Sequence, residues 1–550
     1  MIPRQMRSVW FLLACAILVL LIVFLAWPLI NLLSASVATV RGTNQSGWAN
    51  FFAERKYSEA LFNTLLLGAI VTAAATFVGV ALAYFTARFD FPFKWLIAML
   101  PLTTLIVPEV IAAQTWLMML GNNGLITTLL GSAGIPLPSF YGWPGLVIVM
   151  TFIYYTYVYI GTLAAIRGFD VQLEEAAQSL GTSPAESRLR VMVPVVLPAI
   201  LATSLLVFTL VVGNFAVATI LGHKVQLLSV LTYLSFVSEV GADPVMQSTL
   251  ASASIGIVAV VLFLQRWIIS RKRHEIAQGR GARATRLQGL PAIALAAAAF
   301  VIVIVSVLPL VTVVVGAFTH TRGPVMYWGQ FSLASIERVF INAPDPIINT
   351  LLYASTATLI GIALSVVASY LVVKKRNALT PAIDYLIMLP MAISGTVLGI
   401  GLVVTFNTGW LAMTGTAAII VVAYVVRRLP FGVRNASSTL YNIPNSIEEA
   451  SISLGVPPLA SFCKVILPLM APAIGAAAVL TWTTTVSELS ASVVVYSAGR
   501  ETTPIQIFRL IDTGLNGRAS AYGLALVVMI LVPIFIAVKI FKIELFAAKG

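Results

Sequence analysis

Apolar runs close to the roughly 20 residues needed to cross a bilayer core alternate along this chain with short polar segments. Applying that length predicts spans at 9–33, 60–86, 95–120, 143–165, 195–221 and 248–269 in the first half. The second half gives 290–317, 346–373, 383–406, 413–427, 469–496 and 520–541. The tenth is the shortest. Arg4 and Arg7 precede the first run as they would a signal peptide, but its apolar stretch is too long for an h-region, so a retained helix is expected. The predicted fold class is an all-α polytopic membrane protein with about 12 helices.

Composition agrees and removes other classes. The chain is 59% hydrophobic and 10% charged, against about 25% charged in soluble domains. Its net charge of +13 needs no nucleic acid, because long apolar runs separate the basic residues. With a cytoplasmic N-terminus, 24 of the 33 Lys and Arg fall on the inner side and 9 outside, the asymmetry expected for cytoplasmic loops. The densest cluster is Arg266, Arg271, Lys272, Arg273, Arg280, Arg283 and Arg286. Two cysteines, Cys15 and Cys463, exclude a disulfide framework, and His223, His274 and His320 are expected in loops with no metal-ligand spacing.

The chain repeats itself. Residues 174–181, EEAAQSLG, return as EEASISLG at 448–455, an offset of 274 that also aligns Pro194 with Pro468 and Pro198 with Pro472. Asn63-Thr64-Leu65-Leu66 matches Asn349-Thr350-Leu351-Leu352, Tyr84 falls on Tyr370, and Met99-Leu100-Pro101 matches Met388-Leu389-Pro390. An even number of spans per half makes these parallel repeats about an axis along the membrane normal. The expected halves are 1–280 and 281–550, joined by a basic Gly/Ala-rich linker.

The repeated acidic segments, 170–198 and 444–472, lie between the fourth and fifth spans on the inner side. Leu173 to Leu180 reads as a helix with acids in its first turn, stopped by Gly181. Ser183-Pro184-Ala185-Glu186 reads as an N-cap, an N1 proline and a capping-box acid. Pro194 is expected to end the segment before the membrane. The second copy keeps Gly455 but has Val456-Pro457 at the cap, a weaker start. Glu175-Ala176-Ala177, Gly181 and Val191-x-Val193-Pro194 resemble the EAA signature of bacterial ABC-importer permeases with the MetI-like fold. Glu449-Ala450-Ser451, Gly455 and Val465-x-Leu467-Pro468 repeat it at the same spacing, with Ser451 as one departure. The resemblance implies that Glu174, Glu175, Ala176, Ala177 and Gly181, with Glu448, Glu449, Ala450, Ser451 and Gly455, couple the chain to two copies of an ATPase subunit. It further implies a periplasmic or lipid-anchored solute-binding protein and a bacterial inner-membrane location with both termini cytoplasmic. The chain has no G-x-x-x-x-G-K-[ST] and no Gly-Lys dipeptide. No cofactor is therefore expected in it, ATP and magnesium belong on the partner, and the chain is not expected to be an enzyme.

Acids in hydrocarbon are costly and face an interior or a wet cavity. Glu109 and Glu488 are the two expected within spans, and the repeat offset pairs Glu488 with Asn214. Glu109, Asn214, Glu488 and Ser490 are the candidate pathway residues; the alternative is a carboxylate neutralised by interhelical hydrogen bonds. The tyrosines of 154–159 read as helix packing or interface anchors, and Gly395 to Gly401 as close helix packing. Leu389-Pro390 to Gly401, Arg427-Arg428-Leu429-Pro430 and Glu488-Leu489-Ser490-Ala491 look most like ferric-iron permeases, and permeases for 2-aminoethylphosphonate and thiamine are similar. In the first half Asn214 stands where many of that group carry an acid. An ion-coupled secondary transporter is the alternative class.

Overall fold

The computed structural model describes residues 9–40, 45–105, 107–238, 243–271, 285–286, 289–323 and 325–541. Lys272, Arg273, Arg280 and Arg283, the boundary at 280/281 and both termini lie outside the described residues. Among those described, nine helices are long and apolar enough to cross a bilayer. There are ten if Thr380–Ala392 and Gly395–Phe406, bent by 114°, form one span. The two expected spans that fall short of this measure have separate physical reasons.

The segment expected at 95–120 is broken. Helix Lys94–Met99 tightens into a 3₁₀ turn over Leu100–Leu105, which contains Pro101, and a new helix begins at Glu109 after Pro108. The segment expected at 413–427 is longer than predicted, a single helix Ala417–Asn442. Arg427, Arg428 and Pro430 look like a stop in the sequence, yet they sit mid-helix. Their charge is met by tertiary partners, which hydropathy along the chain does not register. The two arginines thus leave the inner tally for the interior.

Each half's first helix crosses to the other half. Val9–Ala35 buries Ala14, Ile17 and Leu21 against Leu371, Ile383, Ile387 and Val433. Its Asn31 donates to the Thr405 hydroxyl at 3.0 Å. Leu290–Ala317 packs the other way: Ser306 bonds the Tyr155 hydroxyl at 2.8 Å, and Gly316 admits Met118. Small residues allow these close approaches, as expected where apolar lipid gives helices no hydrophobic reason to associate. The glycine run also packs as expected, since a Cβ on Gly399 would lie 2.9 Å from that of Val494.

The repeated Asn-Thr pair does the same work twice. Thr64 accepts the N–H of Leu228 at 2.9 Å, and Thr350 that of Thr503 at 2.7 Å, fixing the starts of Leu228–Val237 and Thr503–Asp512. Asn63 and Asn349 donate to loop carbonyls beside them, of Gln226 and Glu501. An element absent from the expected all-α pattern is a hairpin, Thr319–Arg322 with Val325–Phe331, which places His320 in a strand.

Candidate coupling segments and intramembrane polar site

The two acidic segments have matching geometry. Helices Gln172–Ser179 and Asn445–Ser453 end at Gly181 and Gly455, whose φ angles of +94° and +89° place both in the left-handed region. This is the stop that glycine permits. Ser183 accepts the N–H of Glu186 at 3.3 Å, whereas Pro457 offers its helix no side-chain cap. The segment differs from expectation past that point. Pro184–Val212 and Pro458–Val486 run without interruption into the fifth span of each half. A π-helical turn precedes each proline, at Arg188–Met192 and Phe462–Ile466. The widened turn accommodates Pro194 and Pro468, which cannot donate to a carbonyl four residues back, so they do not end the helix.

The paired acids divide their tasks. Glu174 is buried, forms an ion pair with Arg88 at the end of helix Arg55–Arg88, and its carbonyl accepts from Ser187 at 3.2 Å. Glu448 is buried against the Tyr370 hydroxyl at 2.6 Å and Lys375 at 2.7 Å, at the end of Asp345–Val373. The following acids, Glu175 and Glu449, are exposed, as are Ala176, Ala450, Gly181 and Gly455, while Ala177 and Ser451 are half-buried. Beside each glycine a leucine stands in the open: Leu180 is 88% exposed and Leu454 85%. Trp10 adds an asymmetry, packing on Tyr370 and Phe462 at ring-centroid distances of 4.7 and 5.6 Å.

Deeper in the chain, both fifth-span helices stop short of the predicted spans, at Val212 and Val486, and the polar pair follows. Asn214 accepts the N–H of Val217 at 2.9 Å, and Glu488 that of Ala491 at 3.2 Å. The repeat thus places, at the same point in each half, a polar side chain that accepts the backbone N–H three residues on. Here the halves diverge. Asn214 donates to Glu109 Oε2 at 2.7 Å, and Tyr154 donates to Glu109 Oε1 at 2.6 Å. Glu109, two spans earlier in the sequence, supplies the carboxylate that position 214 lacks. In the second half Glu488 meets Arg427 Nε at 2.8 Å and also binds Arg428, which donates to the Thr484 carbonyl at 2.7 Å.

A cavity of about 150 Å³ lies between the halves, with Glu109, Asn214, Ser394, Ser490, Arg427 and Arg428 in its lining. Three of the four expected pathway residues therefore face one space. Glu488 stands behind the arginines as their counter-ion. Arg427, Arg428 and Tyr154 were not expected as site residues. The signal was present: the offset of 274 sets Arg428 against Tyr154, a polar-for-polar match inside two apolar helices. Among the described residues no group of three or more His, Cys, Asp or Glu is placed to hold a metal ion.

The sequence profile for binding-protein-dependent transport system inner membrane components matches residues 75–274 and 357–543. The chain belongs to that family. These components are permease subunits, so the chain is an ABC-importer permease with two fused halves, a multi-pass membrane protein. It is 28% identical over 88% of its length, and 86% of the relative's, to a probable ABC transporter permease protein y4fN of Sinorhizobium fredii. It is 24% identical to the ferric transport system permease protein FbpB of Actinobacillus pleuropneumoniae, covering 85% of this chain and 69% of that one. Over 26% of the chain and 54% of the relative it is 36% identical to a putative 2-aminoethylphosphonate transport system permease protein PhnV of Salmonella paratyphi A.

Proposed function

We propose that this permease forms a solute route between its two halves and is driven by two copies of an ATPase subunit docked at residues 174–181 and 448–455. One observation carries the reading. In both copies the first acid is tied to the chain's own second span, while the second acid and a leucine remain exposed. A docked partner that pulls on such a segment moves a helix continuous with the fifth span, and that helix ends at the polar site. ATP and magnesium belong to the partner. A periplasmic or lipid-anchored binding protein delivers the solute on the outer side, and both termini face the cytoplasm of a bacterial inner membrane.

Charge reversal of Glu175 and Glu449 together tests the docking. The ATPase subunit should no longer co-purify with the permease, and ATP-driven uptake should be lost. Retained binding with full uptake overturns the assignment.

Ferric iron is the first solute reading, supported by extended similarity to permeases carrying that name. A small oxyanion such as 2-aminoethylphosphonate is the second, favoured by the two guanidinium groups in the cavity. Uptake of each into vesicles holding permease, ATPase and binding protein separates them. Transport of the phosphonate without ferric iron rejects the first reading.

A further inference from the structure

The cavity between the halves has two walls of opposite character. On the second-half side Arg427 and Arg428 share the single carboxylate of Glu488, leaving a surplus of positive charge. Not all of their donors are spent. Arg427 Nη1 and Nε and Arg428 Nε are buried without a hydrogen-bond acceptor, and the remaining faces of the two side chains, 21% and 15% exposed, line the cavity. The N-terminus of helix Gly395–Phe406, capped by Ser394, opens on the same wall and adds its positive dipole end. Gly395 lets Arg427 and Ser490 pack close to this helix start, since a Cβ there would lie 2.7 Å from Arg427 Nη1 and 2.7 Å from the Ser490 Cβ and would displace the guanidinium. Buried donors without acceptors are costly, and guanidinium forks are shaped for oxyanions.

The first-half wall is the reverse. Glu109 accepts from Tyr154 and Asn214; among the described residues it forms no ion pair, and Arg427 and Arg428 share the cavity lining with it without reaching it. A carboxylate held by neutral donors suits a cation on its open side. The volume of about 150 Å³ is that of about five waters, enough for a small solute.

We infer that this cavity binds its solute as a cation–oxyanion pair, with the oxyanion on Arg427 and Arg428 and the cationic part facing Glu109. The inference rests on the proposed solute route between the halves and names its solute chemistry. Two sources share that chemistry: a zwitterion bearing a phosphonate and an ammonium, or a ferric ion accompanied by a phosphate-like oxyanion.

The test is equilibrium binding to the full chain, with its ATPase, in lipid nanodiscs. The probes are radiolabelled inorganic phosphate, 2-aminoethylphosphonate, and ferric ion with and without phosphate. Phosphate should bind saturably, and Arg427→Gln should weaken it about tenfold or more, the value of a lost charge-assisted contact. Arg427 is chosen because Arg428 still neutralises Glu488. Gly395→Ala, which alters no charge, should weaken phosphate binding as well. Glu109→Gln should weaken the paired probe while sparing phosphate. Tighter binding of the phosphonate than of phosphate identifies the zwitterion as the source; ferric binding that requires phosphate identifies the metal pair. No saturable binding of phosphate or phosphonate at millimolar concentration overturns the inference. Equal binding by wild type, Arg427→Gln and Gly395→Ala also overturns it. Binding as described without ATP-driven uptake leaves the site standing and rejects the proposed ATP-driven solute route. Uptake unaffected by the Arg427 and Gly395 variants does the opposite.

Discussion

Glu488→Ala is expected to be among the most destabilising single substitutions in the chain. Glu488 is 4% exposed, and it serves Arg427, Arg428 and the N–H of Ala491 at once. Removing it leaves two half-buried guanidinium groups with no carboxylate at ion-pair distance among the described residues. Loss of one partner from a buried pair costs about 3–5 kcal/mol, and the lost acceptor of the Ala491 N–H adds about 1 kcal/mol. Arg428→Ala should cost less, about 1–3 kcal/mol for a charged hydrogen bond, because Arg427 remains beside Glu488. Glu488→Gln should fall between the two, since an amide oxygen can keep the bond from the Ala491 N–H but not the charge. Reversible unfolding of the purified chain in bicelles, read by steric trapping, gives the free energies directly. A Glu488→Ala cost below about 1 kcal/mol, or an Arg428→Ala cost above that of Glu488→Ala, would falsify the counter-ion assignment.

Three further outcomes are expected. Thr64→Val and Thr350→Val each remove the acceptor of a buried backbone N–H. Each should cost about 1–3 kcal/mol in the same unfolding assay, and a large difference between them would contradict equivalent roles in the repeat. Leu180→Asp with Leu454→Asp should abolish co-purification of the ATPase while leaving the thermal unfolding midpoint unchanged, because both leucines are open to solvent; a lowered midpoint would show them to be structural. Trp10→Ala removes the ring packed on Tyr370 and Phe462. It should raise hydrogen exchange around 445–466 and not around 172–192, and equal changes in both segments would refute the asymmetry.

Much of this architecture follows from one-dimensional information, for a physical reason. A bilayer imposes a fixed length of apolar helix, so most spans are legible as runs, and a duplication appears as a constant offset. The left-handed Gly181 and Gly455 and the cap at Ser183 are local, depending on residues within one turn, and the sequence shows them without help from the fold. The breaks were harder. Pro194 and Pro468 look like stops, yet a π-helical turn carries the helix past each, and Arg427-Arg428 looks like a span's inner end although it lies mid-helix.

What only tertiary structure decided is where each buried charge finds its partner. Glu109 and Asn214 are 105 residues apart, and Arg428 and Glu488 are 60 apart. No periodicity relates such positions. The sequence pairs Asn214 with Glu488 and leaves the first half short of a carboxylate; folding brings Glu109 to the gap. The crossing of Val9–Ala35 onto the second half is of the same kind. Apolar composition determines that this helix enters the membrane, but its neighbours are chosen by small residues such as Ala14 and Gly401, whose fit exists only once both surfaces are formed.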